Sequence, residues 1–143
     1  MKLSARSRYA ARLLLDLAQA RGQGPVRASI LATNTGISVQ FIEQILRPLK
    51  KAGFIRSMRG ATGGHLLRRD PETITLGDVV RTMEGPVAIT RCCTGPAACD
   101  RADDCRTRSA WAQVSRVLER ELDAITLADL LDPSRLQSTC PKA

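Results

Sequence analysis

No apolar run in these 143 residues approaches the roughly eighteen needed to cross a membrane, which excludes a spanning helix. There is no C-x-x-C pair, no glycine-rich nucleotide loop, and only one histidine, His65, so the usual equipment of a small thiol redox enzyme is missing. The opening "MKLSARSRYAARLLLDLAQARG" is basic and partly apolar, yet no small-residue cleavage site follows. Arginines and an aspartate space its leucines, so it reads as a helix of the mature protein, and the chain is expected to be cytoplasmic. Acid is scarce in the first half. Residues 1–70 carry 13 Lys/Arg against 3 Asp/Glu, a balance of +10, whereas residues 71–143 carry 9 against 11. A solvated surface does not explain that asymmetry; it points to a polyanion, nucleic acid ahead of a membrane surface.

What the chain does have is cysteine in one place. Four of its five cysteines fall in "RCCTGPAACDRADDC", residues 91–105, a stretch with almost no apolar content to pack. A disulfide staple, a metal or cluster site, a reactive switch and chance are the four readings. An odd number of cysteines in a reducing compartment makes the staple the weakest of them.

Apolar positions Tyr9, Ala10, Leu13, Leu14, Leu17 and Ala18 recur at three and four, predicting a helix from about Ser4 to Arg21 that Gly22 closes. A short helix follows over Ala28–Thr35, ending at Gly36. Ser38 then sits as an N-cap, with Phe41, Ile42, Ile45 and Leu49 as the buried stripe and Gly53 as the stop. Pro48 should break that segment into two helical pieces. "FIRSMRG", "ATGG" and "HLLRR" read as a glycine-tipped β-hairpin carrying Arg56, Arg59, Arg68 and Arg69. Thr75 and Asp78 form a capping-box pair, and the same Ile-Thr-Leu-x-Asp signature returns at 125–129 as a reused helix start. A last long helix, Ser109 to about Ile125, carries Trp111, Val114, Leu118, Leu122 and Ile125 on one stripe, expected to pack on a second copy.

Helix, helix, turn, helix, then a basic hairpin is the order of a winged helix-turn-helix domain, so the fold class is mainly α with a small β-hairpin wing. The expected organisation is a DNA-binding domain at 1–85, a cysteine-rich cluster loop at 86–108, a dimerisation helix with a short terminal helix at 109–132, and a flexible tail at 133–143. The outward residues Ser38, Gln40, Glu43 and Gln44 are polar and able to read base edges. Arg59 at the hairpin tip suits a narrow minor groove, while Lys50, Lys51 and Arg56 suit phosphates.

"SRYA" at 7–10, "VQFIEQILRPLKKAGFIRSMRGATGGHLL" at 39–67, "ITLGDVV" and the cysteine loop followed by "SAW" resemble the Rrf family of bacterial winged-helix regulators. Within it the resemblance is strongest to the IscR-type iron–sulfur cluster regulators, then to the NsrR-type nitric-oxide sensors, and covers residues 1 to about 132. It implies a homodimer on a partly palindromic double-stranded operator, with Ser38, Gln40, Glu43, Gln44 and Arg59 at positions the family uses for base and groove contacts.

Cys93, Cys99 and Cys105 are spaced C-x5-C-x5-C, which is neither a zinc knuckle nor a ferredoxin pattern. The resemblance implies that they ligate an iron–sulfur cluster, 2Fe–2S ahead of 4Fe–4S, and the loop's lack of apolar content requires the cofactor to order it. The fourth ligand departs from the family. An IscR-type histidine position holds Arg108, and an NsrR-type aspartate position holds Arg8. Cys92, Asp103, Asp104, His65 and Cys140 remain, Cys92 being the nearest although adjacent cysteines diverge at Cβ. A regulator sensing cluster supply, redox state or nitric oxide follows. The alternatives are a cluster-free relative switching through zinc or reactive thiols, and a small thiol redox enzyme.

Overall fold

The computed structural model describes residues 2–94 and 104–136, so Cys99, Asp103, Cys140 and most of the expected tail lie outside the described residues. Helices α1 (Ala5–Gln19), α2 (Ala28–Thr35) and α3 (Val39–Lys51) come first, followed by strands β1 (Ile55–Met58) and β2 (Gly64–Leu67). Helices α4 (Leu76–Glu84), α5 (Arg108–Ala124) and α6 (Leu127–Leu131) complete the order. This is the mainly helical, hairpin-winged architecture expected.

Helix α1 is the spine. Its row Ala10, Leu13, Leu14 and Leu17 is buried in one cluster with Leu31 of α2, Ile42, Ile45, Leu46 and Leu49 of α3, and Val79 of α4. Leu127 is also fully buried there, so α6 seats in the same core as the first helices. Ser4 caps α1 by accepting from the Ser7 N–H at 3.2 Å. The buried Ser7 hydroxyl donates to Glu84 and the Ser4 N–H donates to it at 2.9 Å, fastening the start of α1 to the end of α4. Burial pushes the Glu84 carboxyl up, but these serine donors outweigh it and hold its pKa below the usual value.

The break expected at Pro48 does not occur: α3 runs unbroken from Val39 to Lys51. Proline in a helix costs about 3 kcal/mol. Leu46 and Leu49 are buried on either side of it, and each such side chain contributes about 1.5–3 kcal/mol, enough to hold the helix through the lost hydrogen bond. The ladder resumes past it, with the Ala52 N–H donating to the Pro48 carbonyl at 2.9 Å. Gly36, at φ +70°, makes the left-handed turn from α2 into α3.

The hairpin pairs Ile55 with Leu67, Arg56 with Leu66, Ser57 with His65 and Met58 with Gly64. A third piece of backbone joins on its other side. Val26 and His65 exchange hydrogen bonds at 2.9 and 2.8 Å. A Cβ on Gly64 would lie 2.6 Å from the Val26 carbonyl oxygen, so this close approach requires glycine. The Arg27 guanidinium reaches the Ala61 carbonyl and ties the hairpin tip to the start of α2.

The two Ile-Thr-Leu-x-Asp segments are neighbours. Thr75 and Thr126 face each other in an antiparallel bridge, with the Leu76 N–H donating to the Ile125 carbonyl and the Leu127 N–H to the Ile74 carbonyl, both at 2.9 Å. Each threonine closes a full capping box, with Asp78 and with Asp129. Beside them Arg81 of α4 bonds Asp123 at 2.6 Å and Glu119 at 3.0 Å on α5, and Asp78 at 3.1 Å. Asp123 chiefly, with Asp78 and Glu119, raises the Arg81 pKa above its ordinary value.

Candidate DNA-reading face and cysteine pocket

Burying Ile42, Ile45, Leu46 and Leu49 forces the opposite row of α3 outward. Gln40, Glu43, Gln44 and Arg47 are all exposed. Ser38 is the N-cap, its hydroxyl accepting from the Phe41 N–H at 3.3 Å, and it is exposed beside them. Lys50 and Lys51 occupy the exposed last turn, Arg56 is exposed on β1, and Arg59 is exposed in the hairpin turn. Thus all eight residues proposed from sequence lie at the surface.

The wing comes directly against this helix. Glu43, Leu46, Arg47 and Lys50 of α3 line a cleft of about 190 Å³ with Ser57 and His65 of the hairpin. His65 lies half-buried there; its Nδ1 is 3.2 Å from the Ser57 hydroxyl and its Nε2 is 4.0 Å from a Glu43 carboxylate oxygen. Burial pushes the imidazole pKa below its usual value; Glu43 opposes this and Lys50 adds to it. Sequence reading placed His65 in the wing but missed its approach to α3. Arg47 was missed too, although it follows Glu43 by one helical turn. Val39, an apolar residue 44% exposed on the first turn of α3, also went unnoticed.

The cysteine segment is described in part. A 3₁₀ turn over Arg91–Cys93 brings both sulfurs near one hydroxyl, Thr90 Oγ1 lying 3.1 Å from Cys92 Sγ and 3.3 Å from Cys93 Sγ. Cys93 and Cys105 line a common pocket of about 370 Å³ with Arg108, Ser109 and Ala112 at the start of α5. The Thr107 hydroxyl, 3.4 Å from Cys105 Sγ, and the backbone N–H groups of Thr107 and Arg108 hold that thiol below its ordinary pKa. The chain just ahead of Cys92 and Cys93 is fixed to α5, since the Ile89 N–H donates to the Ser115 hydroxyl at 3.0 Å, which donates to the Trp111 carbonyl at 2.8 Å. Of the fourth-ligand candidates, Asp104 is exposed, His65 belongs to the wing, and Asp103 and Cys140 lie outside the described residues. Among the described residues, no group of three or more His, Cys, Asp or Glu side chains is arranged to hold a metal ion. None of the described helices is long and apolar enough to cross a membrane.

Known proteins share this sequence pattern and fold. The family described as Rrf2, iron-dependent transcriptional regulator, matches residues 3–133. Protein rrf2 of Nitratidesulfovibrio vulgaris is 42% identical over 142 residues, covering 99% of this chain and 93% of that protein. The solved structure of CymR, the global cysteine regulator of B. subtilis, matches at TM-score 0.77 and 32% identity, covering 93% of this chain and 98% of CymR. T. potens IscR matches at TM-score 0.76 and 34% identity, covering 100% of this chain and 94% of IscR. On that family match and the coverage of its relatives, this chain belongs to the Rrf2 family of transcriptional regulators.

Proposed function

We propose that the protein is a dimeric transcriptional regulator whose operator affinity is set by an iron–sulfur cluster on Cys93, Cys99 and Cys105. The observation that carries the DNA reading is the seating of a basic hairpin against a helix whose outward residues Gln40, Glu43, Gln44 and Arg47 are polar and exposed. Ser38, Gln40, Glu43 and Gln44 read base edges in the major groove, and Arg59 enters the neighbouring minor groove. Lys50, Lys51 and Arg56 hold phosphates, which fix register and give the salt dependence. Two copies joined through α5 would present two such faces to a partly palindromic site.

The donor set suits the cofactor. Two of the three proposed thiols already share a pocket, and soft thiolates are the ligands that iron–sulfur clusters take. A bound cluster, 2Fe–2S ahead of 4Fe–4S, would supply a redox-active centre open to oxygen and nitric oxide. The chain supplies the connection to DNA. Cys105 leads straight into α5, and Ser115 pins the Cys93 segment to the same helix. Rearranging the thiols therefore moves α5, and with it the spacing of the two recognition helices. Arg108 lines the pocket where an IscR-type histidine would stand, so the fourth ligand is another group, with Cys92 the nearest in sequence and Asp103, Asp104 and Cys140 still open. A thiol switch is the second reading, favoured by the approach of Cys92 and Cys93 to one hydroxyl.

The test is selection of duplexes from a randomised library by anaerobically purified full-length protein, then titration of the selected operator before and after iron chelation. A sequence should be enriched, and chelation should change affinity by ~10-fold or more. Failure to enrich any sequence contradicts the DNA reading; equal affinity in both forms contradicts cluster control.

A further inference from the structure

His65 is the only histidine in the chain, and the fold holds its strand from both sides. Its backbone is paired with Ser57 across the hairpin and bridged to Val26 on the other side through hydrogen bonds in both directions. Gly64, the residue before it, is what lets Val26 approach. The imidazole cannot drift along the sheet, and it is aimed into the cleft between wing and recognition helix. Its side chain is 14% exposed, while its neighbour Glu43 is 55% exposed and stands in the outer row of α3.

We propose that His65 is a positioning residue for base readout: from the wing it sets where the Glu43 carboxylate lies, and on taking up a proton it draws that carboxylate away from the DNA. This rests on the reading of α3 as the base-contacting helix. The distance of 4.0 Å between Nε2 and the carboxylate oxygen is too long for a hydrogen bond and short enough for an ion pair. While the imidazole is neutral, Glu43 is free to accept from the exocyclic amino group of cytosine. Once protonated, the imidazolium competes with the base for the same oxygens. Glu43 is the acidic group lining the cleft; Lys50 from α3 opposes protonation, Arg47 is the other cation in the lining, and the hairpin contributes the Ser57 hydroxyl. Burial and Lys50 also favour the neutral imidazole, so the change belongs to the acid side of neutrality. The proton would thus alter selectivity more than overall affinity, because, of the phosphate-contacting residues, only Lys50 lines the cleft, and Lys51, Arg56 and the minor-groove Arg59 lie outside it.

A single histidine makes the first readout unambiguous, since one imidazole signal titrates in the NMR spectrum of the full-length protein. Glu43→Gln, an exposed substitution that leaves the core alone, should lower the midpoint of that titration. An unchanged midpoint overturns the coupling. The second readout uses the selected operator and duplexes altered one base pair at a time, bound by wild type, Glu43→Gln, His65→Leu and the double variant between about pH 7.5 and 5.5. Wild type should lose ~2-fold or more of its preference at the base pair sensitive to Glu43 as the pH falls, and His65→Leu should show no such slope. A wild-type pH slope in His65→Leu, or strict additivity of the two substitutions at every base pair, overturns the proposal. If no operator is selected, the DNA reading fails on its own, and the NMR titration alone decides whether the pair is coupled.

Discussion

Arg59 carries no structural duty among the described residues: it is exposed in the hairpin turn, outside both strands and outside the core. Arg59→Ala should therefore weaken operator binding by ~5–50-fold and leave the melting temperature within a degree or two, measured by fluorescence anisotropy and thermal unfolding. Unchanged affinity would remove the wing tip from the interface. Gly64 is the reverse case, a residue that touches no ligand. Alanine there drives a Cβ into the Val26 carbonyl oxygen at 2.6 Å, so Gly64→Ala should cost about 1–3 kcal/mol in urea unfolding and displace His65 with it. Such residues were unequally visible in the sequence. The glycine turn was legible, but Gly64, read as part of it, is the first residue of β2, paired with Met58. The backbone it lets approach is the distant Val26, and no local pattern announces a pairing across that separation. His65 was placed on the correct strand; its approach to Glu43 depends on how the hairpin leans on α3, which is a tertiary matter.

At the scale of elements, capping and patterning were legible and their assembly was not. Both Thr-x-x-Asp boxes form as read, because each is a local exchange of hydrogen bonds that needs only helical geometry. That the two boxes pair with each other could not be read, since their bridge brings Thr126 back beside Thr75 from much further along the chain, with α6 packed against α1. Pro48 shows the opposite error. A sound local rule predicted a break, and the burial of Leu46 and Leu49 overrode it. The α4–α5 junction turns on Arg81 and its three carboxylates. Arg81→Leu should destabilise the protein by about 1–3 kcal/mol, because it strands acidic partners without their donor. The Arg81 hydrogen bond holds the Asp123 pKa below its ordinary value, so its contribution is present above the unfolded carboxylate pKa. That contribution is lost as the pH falls through the lowered folded value. Denaturation series at successive pH values should show part of the acid-side loss in wild type disappear in Arg81→Leu; an identical acid slope in both would separate Asp123 from Arg81.

For the whole molecule, the decisive feature is what one copy leaves uncovered. Trp111, Val114 and Val117 on α5 are 43%, 46% and 43% exposed, whereas Leu118, Leu122 and Ile125 further along are half-buried. The stripe read as facing a second copy thus divides, its first half open and its second half turned toward the chain's own helices. An exposed tryptophan with two valines at helical spacing fits a symmetric contact between two copies. Val114→Glu should shift the sedimentation coefficient to that of a monomer and reduce operator affinity by ~100-fold or more, since each half-site is then bound separately. A variant that stays dimeric would move the interface elsewhere. This helix also begins at the cysteine pocket, so the proposed contact between copies and the thiols belong to one element.

The measurement that tests the central claim most directly is the visible absorption spectrum of anaerobically purified protein, with iron and acid-labile sulfide counted in the same sample. The expected result is a brown protein with sulfide-to-iron charge-transfer bands, near-equal iron and sulfide, and loss of both on replacing Cys93, Cys99 or Cys105 by serine. A colourless protein without iron, holding zinc or free thiols at these cysteines, would contradict it.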